Sequence, residues 1–402
     1  MNLGRCGMQE TLSVGTVDQI SLALHEPAWM HDKRREAYEL FLTLPSPHFK
    51  YGMSVQMSMG DFQFEKLHAS EPADVPHVSF RAPLGILILP LHAALSSHEA
   101  LVNHHLFTLF NHSQNQFAAF HAAFWRSGLF VYVPEHIDCS EPVHLFYEAC
   151  DAALQHTLVV VGEGSRVSVV EHLLSDKKGS AFSSTVTELF VGDKAQVTFS
   201  RVQDYSFTTF HFDDVVSQIG NNGSLIWNDV WLGSSFTHSE NKMVLVGNGS
   251  SCLARSVFFG SGKQQFDLGV TAVHAAPHTT SVLRGRGVLQ EQAKNIYRGL
   301  IHIQRSAPES DGYQKQDTLL LSPQSEADNI PQLQIDNNDV KCGHAATVGQ
   351  VDTEKLFYLM SRGLSRDEAQ RMIVNGYVDP FLRELPAELY EEVRSVIEQR
   401  AT

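Results

Sequence analysis

The spacing of apolar residues divides the chain into helical regions at both ends and a long central region of strands. Between residues 29 and 42 apolar side chains recur at helical spacing, and Pro45 would end that helix. Residues 97–110, with Ser97 as the N-cap, and residues 114–126 are also predicted to be helical. We therefore predict a first region, residues 1–127, of helical and mixed structure.

From residue 128 the pattern changes to short runs rich in Val, Phe, Thr and Ser, broken by Gly, Asn and Asp, which is typical of many strands. A glycine flanked by apolar residues recurs at positions 162, 192, 220 and 247, at intervals of 30, 28 and 27 residues. Stacked coils must each turn at the same place, so this spacing favours a β-solenoid over residues 128–351. An antiparallel sandwich with hairpins of similar length is the alternative.

Residues 352–402 return to the helical period. Ser365 and Glu368 form a capping box ahead of an apolar face. Gly376 predicts the end of that helix, and Pro386 predicts the start of another. The pattern therefore predicts a small C-terminal helical domain.

Composition narrows the choice of partners and compartment. The 45 acidic and 30 basic residues give a net charge of -15, and no basic run could neutralise a row of phosphates, so we expect no nucleic-acid partner. The five cysteines form no C-x-x-C pair, which fits a reducing cytoplasm. No signal peptide is indicated at the start, and the most apolar stretch, residues 84–95, is shorter than the ~20 residues that cross a bilayer. We expect a cytoplasmic protein that does not enter a membrane.

Common catalytic signatures are missing from the sequence, which favours a protein that is not an enzyme. The segment Gly285-Arg286-Gly287 lacks the rest of a phosphate-binding loop, and we interpret it as a turn. If the stretch around Cys342 and His344 is a strand, both side chains lie on one face, where a thiolate and an imidazole could reach one iron or zinc ion. Two ligands are fewer than the four of a structural metal site, and a buried cysteine beside a hydrogen-bonded histidine is the alternative.

Several sequence blocks, in a fixed order, carry a resemblance to a known family. They are Glu26-Pro27-Ala28-Trp29, Gly285-Arg286-Gly287, Asn295-Ile296-Tyr297-Arg298-Gly299, Gln316-Asp317-Thr318-Leu319-Leu320-Leu321, Asn338-Asp339-Val340-Lys341-Cys342-Gly343-His344 and Met372-Ile373-Val374-Asn375-Gly376-Tyr377. In these blocks the chain resembles the SufB/SufD family of iron–sulfur cluster assembly proteins over residues 26–386. The resemblance implies a right-handed parallel β-helix flanked by helical regions.

The same resemblance implies partners and site residues. Family members form a complex of a SufB subunit, a SufD subunit and two copies of the ATPase SufC. The cluster is thought to form between a SufB cysteine and a SufD histidine, which corresponds to His344 here, with Cys342 as its neighbour. SufC docks on the C-terminal helical domain, where the corresponding candidates are Met372, Val374, Gly376, Tyr377 and Phe381.

One departure from the family pattern distinguishes the two paralogues. Where SufB has its essential cysteine ahead of Asp-Ser-Leu-Leu, this chain has Gln316 ahead of Asp317-Thr318-Leu319-Leu320. It is therefore SufD-like, and we expect the isolated chain to bind no cofactor stably and to meet iron or a nascent cluster only transiently in the complex. We also expect it to form a homodimer when isolated, because exposed strand edges seek partners.

Two functions of other classes remain as alternatives. β-Solenoids include enzymes that cleave acidic polysaccharides with carboxylates and basic residues aligned in one groove. A homodimeric interaction protein without metal chemistry would also fit the predicted fold.

Overall fold

The computed structural model describes residues 12–45, 54–60, 62–64, 67, 77–149, 152–175 and 182–401. Residues 1–11 of the predicted first region lie outside this part. The N-terminal helices are α1 Val14–Ala23, α2 Ala28–Thr43, α3 Leu91–Ser97, α4 Glu99–His105 and α5 Gln116–Phe124. The C-terminal helices are α6 Thr353–Ser361, α7 Arg366–Leu382 and α8 Ala387–Arg400. No helix in the described part combines the length and apolar character that a membrane crossing requires.

The strands lie between these two helical groups. In chain order they are β1 His77–Arg81, β2 Leu87–Pro90, β3 Leu129–Val133, β4 Val143–Ala149, β5 Ala152–Val161, β6 Arg166–Ser175, β7 Phe182–Val191, β8 Gln196–Asp204, β9 Phe210–Ile219, β10 Ser224–Trp231, β11 Phe236–Leu245, β12 Ser251–Gly260, β13 Gln265–His274, β14 Thr280–Leu289, β15 Lys294–Ile303, β16 Ser310–Leu320, β17 Glu326–Ile335 and β18 Val340–Gln350. From β3 onward, successive strands alternate between two sheets.

The two sheets are the walls of a parallel β-solenoid. Within the described residues each sheet has nine strands, in the order β1-β4-β6-β8-β10-β12-β14-β16-β18 (sheet A) and β17-β15-β13-β11-β9-β7-β5-β3-β2 (sheet B). The pairs β1–β4 and β2–β3 are antiparallel, whereas the other pairs, such as β11–β13 and β16–β18, are parallel. The predicted solenoid is confirmed, and the alternative of a hairpin sandwich is wrong.

The repeated glycines occupy the turn between a sheet B strand and the following sheet A strand. A Cβ added at Gly247 would lie 2.0 Å from the backbone nitrogen of Asn221, and one at Gly192 would lie 2.7 Å from the carbonyl oxygen of Val161. Each turn therefore rests on the backbone of the turn before it. Only glycine allows this close approach, which explains why the spacing in the sequence matches the length of a coil.

Helices cover the outer faces of both sheets. Over sheet B, the ring of Phe117 in α5 stacks on that of Phe212 in β9, with centroids 3.6 Å apart. Over sheet A, Val374 of α7 and Val393 of α8 join a buried cluster with Val257 of β12. The middle coils are thus enclosed on both sides by apolar contacts.

Several helix boundaries differ from the prediction. The helix predicted to reach residue 110 ends at His105, and the one predicted over residues 114–126 spans Gln116–Phe124. Gly376 does not end a helix, because α7 continues to Leu382 and buries Val378 and Phe381 against sheet A. That burial outweighs the cost of about 1 kcal/mol for a glycine inside a helix. Ser97 ends α3 instead of capping the next helix, which begins at Glu99. The capping box of Ser365 is confirmed.

The solenoid interior contains buried charges as well as apolar side chains. The Arg201 guanidinium of β8 donates to Glu171 of β6 at 2.5 Å and to Asp213 of β9 at 2.6 Å. Asp229 of β10 stands directly opposite Arg201 in the ladder, and its Oδ2 accepts from Asn241 Nδ2 at 3.3 Å. The four charged residues are almost fully buried. One cation therefore faces three carboxyl groups inside the coil.

Candidate functional site

The last coil, formed by β17 and β18, is the part of the solenoid that no further coil covers in the described residues. β17 ends sheet B and β18 ends sheet A, so each has one strand neighbour. Ile335 of β17 and Val348 of β18 are exposed apolar residues. Uncovered strands with apolar side chains are a surface on which another chain can pair.

Cys342 and His344 both lie in β18, which confirms that this stretch is a strand. In the ladder Cys342 is opposite Gly312 and His344 is opposite Gln314, and both partners are buried inward-facing residues of β16. The predicted common face is therefore confirmed. His344 is exposed because the last coil is open, whereas Cys342 is half-buried against the apolar interior.

The environment of Cys342 weakens it as a metal ligand. Desolvation raises the pKa of its thiol above the ordinary value, although a hydrogen bond with the backbone of Gly343 opposes this effect. A thiol with a raised pKa is less often a thiolate, and the thiolate is the form that binds metal. In the described part of the chain, His, Cys, Asp and Glu residues do not gather into a group of three or more able to hold a metal ion. Among the described residues, Cys342 and His344 therefore do not complete a ligand set for iron.

Gln316 lies one coil further in, on the inward face of β16. It is buried, and within the described residues neither its Oε1 nor its Nε2 has a hydrogen-bond partner. A Cβ added at Gly299 of β15 would lie 2.3 Å from Gln316 Nε2 and 2.0 Å from Gln314 Oε1. The glycine of the Asn295–Gly299 block therefore makes room for these two glutamines beneath the coil of His344.

The interpretation of residues 285–287 as a turn is wrong, because both glycines lie within β14. A Cβ at Gly287 would lie 1.8 Å from the ring of Phe258, and one at Gly285 would lie 2.7 Å from the ring of Tyr297. These glycines accommodate aromatic rings inside the coil. Arg286, between them, points outward and donates to the carbonyl oxygen of Tyr377 in α7 at 2.8 Å.

The five candidate docking residues are brought together on α7, but they differ in accessibility. Val374 and Phe381 are buried against sheet A, and Tyr377 is half-buried. Only Met372 and Gly376 are exposed, so a partner could touch these two directly while the others support the helix from beneath.

Helix α6 has exposed apolar side chains that were not predicted from the sequence. Phe357 is 72% exposed, and Tyr358 and Met360 are also exposed, while Leu356 is the buried residue of this helix. The run of five apolar residues from 356 to 360 was the available signal. We call Phe357, Tyr358, Met360 and the exposed Met372 of α7 the helical apolar patch.

The fold and the site together define a class of protein. It is a parallel β-solenoid that is flanked by helical regions and has one uncovered terminal coil. Residues 146–377 match the family model described as SUF system FeS cluster assembly, SufBD core domain, and residues 73–145 match the model of the SufBD protein N-terminal region. The chain therefore belongs to the SufBD family of iron–sulfur cluster assembly proteins.

Curated relatives agree with this assignment over nearly the whole chain. Proteins named iron-sulfur cluster assembly SufBD family protein, from Staphylococcus epidermidis (strain ATCC 12228), Staphylococcus haemolyticus and Staphylococcus aureus (strain USA300), are each 29% identical over 429 residues. Each alignment covers 96% of this chain and 92% of the relative. The polysaccharide-cleaving alternative receives no support from these matches.

Proposed function

We propose that this chain is the SufD-type scaffold subunit of a cytoplasmic SufBCD complex that assembles iron–sulfur clusters, and that it has no catalytic activity of its own. The proposal rests on two features that occur together in this chain. His344 places an exposed imidazole on an uncovered edge strand, and Gln316 places an amide at the position of the SufB cysteine. Such a chain has a ligand to offer at its edge but no thiolate on which to build a cluster alone.

His344 is suited to a shared site because a neutral imidazole binds iron without adding charge. Its strand is free on one side, so a SufB solenoid that meets this end would bring a thiolate close to the imidazole. Iron and sulfide are cargo in this scheme. Cys342, half-buried with a raised thiol pKa, would be a neighbour of the site rather than its principal ligand.

SufC docking is proposed for the helical apolar patch. Its aromatic and methionine side chains are exposed on α6 and α7, and adaptable methionines are common at protein-binding surfaces. Of the residues predicted from the family resemblance, Met372 and Gly376 would make direct contacts. Val374, Tyr377 and Phe381 would hold α7 on the solenoid.

A homodimer without metal chemistry is the second candidate, favoured by the uncovered edges of β17 and β18. We propose that the isolated chain pairs with itself through these strands. In the complete complex a SufB subunit would replace the second copy.

The test is anaerobic reconstitution of the SufBCD complex with His344→Ala. Copurification with SufB and SufC should be unchanged, and cluster formation, followed by visible absorbance, should fall at least ~10-fold because a ligand is lost. His278→Ala, an exposed histidine in the turn between β13 and β14, is the matched control and should assemble clusters normally. Normal cluster yield with His344→Ala would remove the ligand role, and failure of the parent chain to copurify with either partner would remove the scaffold role.

A further inference from the structure

Residues 54–60, which we call the sheet B strap, cross the outer face of sheet B and reach the last coil. Three donors of the strap converge on one carboxylate, that of Asp328 in β17. Ser54 donates to it from the backbone nitrogen at 3.0 Å and from Oγ at 2.7 Å, and the Val55 nitrogen donates to it at 2.9 Å. Hydrogen bonds to a carboxylate are stronger than those between neutral groups. The strap is therefore firmly attached to the last coil.

The rest of the strap is attached to the middle coils. The Gln265 side chain of β13 accepts from the Ser58 nitrogen at 3.0 Å and donates to the Ser58 carbonyl oxygen at 2.9 Å. Just beyond the strap, the ring centroid of Phe62 lies 5.3 Å from that of Phe210 in β9. β17, β13 and β9 belong to different coils of sheet B. The strap therefore joins the last coil to coils that have a neighbour on each side.

Alternate residues of the strap face the sheet. Val55 and Met57 are buried, whereas Gln56 and Ser58 are exposed. The two buried side chains belong to one apolar cluster, and Ile330 of β17 packs against that cluster. Neither β17 nor β18 has a fully buried residue of its own. Because regions with few buried contacts open locally at low cost, the last coil depends on cover from outside the solenoid.

We propose that the sheet B strap keeps the last coil folded while its end is uncovered, so that the open coil meets a partner subunit in one conformation. Asp328 is the polar attachment point, and Val55 is the apolar one. Release of the strap would let β17 open while the middle coils stayed folded. The effect of the strap on β17 does not depend on the proposed function, whereas its effect on partner binding rests on it.

The test is hydrogen–deuterium exchange of the full chain, followed by mass spectrometry of peptides from β17 and from β11. Val55→Asp places a carboxylate at a buried position beside that of Asp328, where desolvation and repulsion both oppose it, and should release the strap. Exchange in β17 should then rise at least ~10-fold, and exchange in β11 should stay at the parent rate. Gln56→Asp adds the same charge at the adjacent exposed position and should change exchange in β17 by less than ~2-fold.

A matched pair of variants in β17 tests the attachment point. Asp328→Ala removes the acceptor of three hydrogen bonds and should also raise exchange in β17 at least ~10-fold. Glu326→Ala removes a carboxylate from the same face of the same strand, where it pairs with Lys294 at 3.1 Å. It should leave exchange in β17 near the parent rate, because a partly exposed ion pair contributes little.

Light scattering over a range of concentrations measures the effect on partner binding. The dissociation constant of the homodimer should be at least ~10-fold higher for Val55→Asp than for Gln56→Asp. Equal constants despite faster exchange in β17 would overturn the effect on partner binding. The strap's role is overturned if the two variants exchange equally fast in β17, or if β11 accelerates as much as β17. A monomeric parent chain would contradict the proposed homodimer, and the exchange rates would still decide the role of the strap.

Discussion

The middle and the last coil of the solenoid use the same strand pairing but have very different surroundings. β11, in the middle, has a neighbouring coil on each side and buries most of its residues. β18 makes the same kind of parallel ladder with β16, yet no residue of it is fully buried. The two strands differ in burial because a further coil stacks on β11 and none stacks on β18 in the described residues.

This difference separates positions that maintain the fold from positions that are available to a partner. In the middle coils, inward positions are filled by rings and buried charges that tolerate little change. In the last coil, the inward positions of His344 and Val348 have nothing above them in the described part of the chain. A partner that stacked on this end would complete the coil.

The largest difference in stability is expected between alanine substitutions at two glycines, one in a middle coil and one in the last coil. Gly287→Ala should reduce the free energy of unfolding by about 2–3 kcal/mol, because the added Cβ would overlap the ring of Phe258. Gly349→Ala in β18 meets no atom within 4 Å and should change it by less than about 0.5 kcal/mol. Urea unfolding followed by circular dichroism measures both. Equal effects would show that the two coils do not differ in packing as described.

A smaller effect is expected from Asp229. Burial raises the pKa of its carboxyl to about 7, although Arg201 opposes the shift. The unfolded chain releases this proton near pH 4 and the folded chain near pH 7, so stability falls as pH rises between these values. Asp229→Asn should therefore be more stable than the parent by about 1–2 kcal/mol at pH 8 and nearly equal at pH 4.

A control of opposite sign is available at the open end. His302 lowers the pKa of the exposed Asp336 by a hydrogen bond, so Asp336→Asn should lose stability relative to the parent as pH rises through the acid range, up to about pH 4. Urea unfolding at a series of pH values gives both differences. Parallel pH profiles of Asp229→Asn and the parent would contradict the raised pKa, because Asp229 would then lose its proton near pH 4 in the folded chain as well.

The solenoid could be predicted from the sequence because its turns repeat. Gly192 and Gly247 mark the same place in successive coils, and the contact that requires them recurs at nearly constant spacing. The strand of Cys342 and His344 could also be predicted, because alternation along a strand is local. Structure that repeats or alternates along the chain could thus be predicted from the sequence.

Features that depend on contacts between residues distant in sequence could not be predicted from the sequence pattern. Gly285 and Gly287 resembled a turn because the rings that require them come from other strands, β15 and β12. Gly376 resembled a helix end because the sheet that buries the following residues is distant in sequence. In the same way, Arg255, Arg284 and Lys315 of β12, β14 and β16 lie directly opposite one another, which could not be predicted without the register of these three strands.

The most direct test of the central claim is a charge placed on the open coil. Val348→Lys should leave stability nearly unchanged, because the side chain is exposed, but a partner stacked on this end would bury an unpaired lysine. Light scattering at micromolar concentration should show a dimer for the parent chain and for Phe357→Lys, and a monomer for Val348→Lys. A monomeric parent, or a Val348→Lys variant as dimeric as the parent, would contradict the claim that this coil is the partner-binding end.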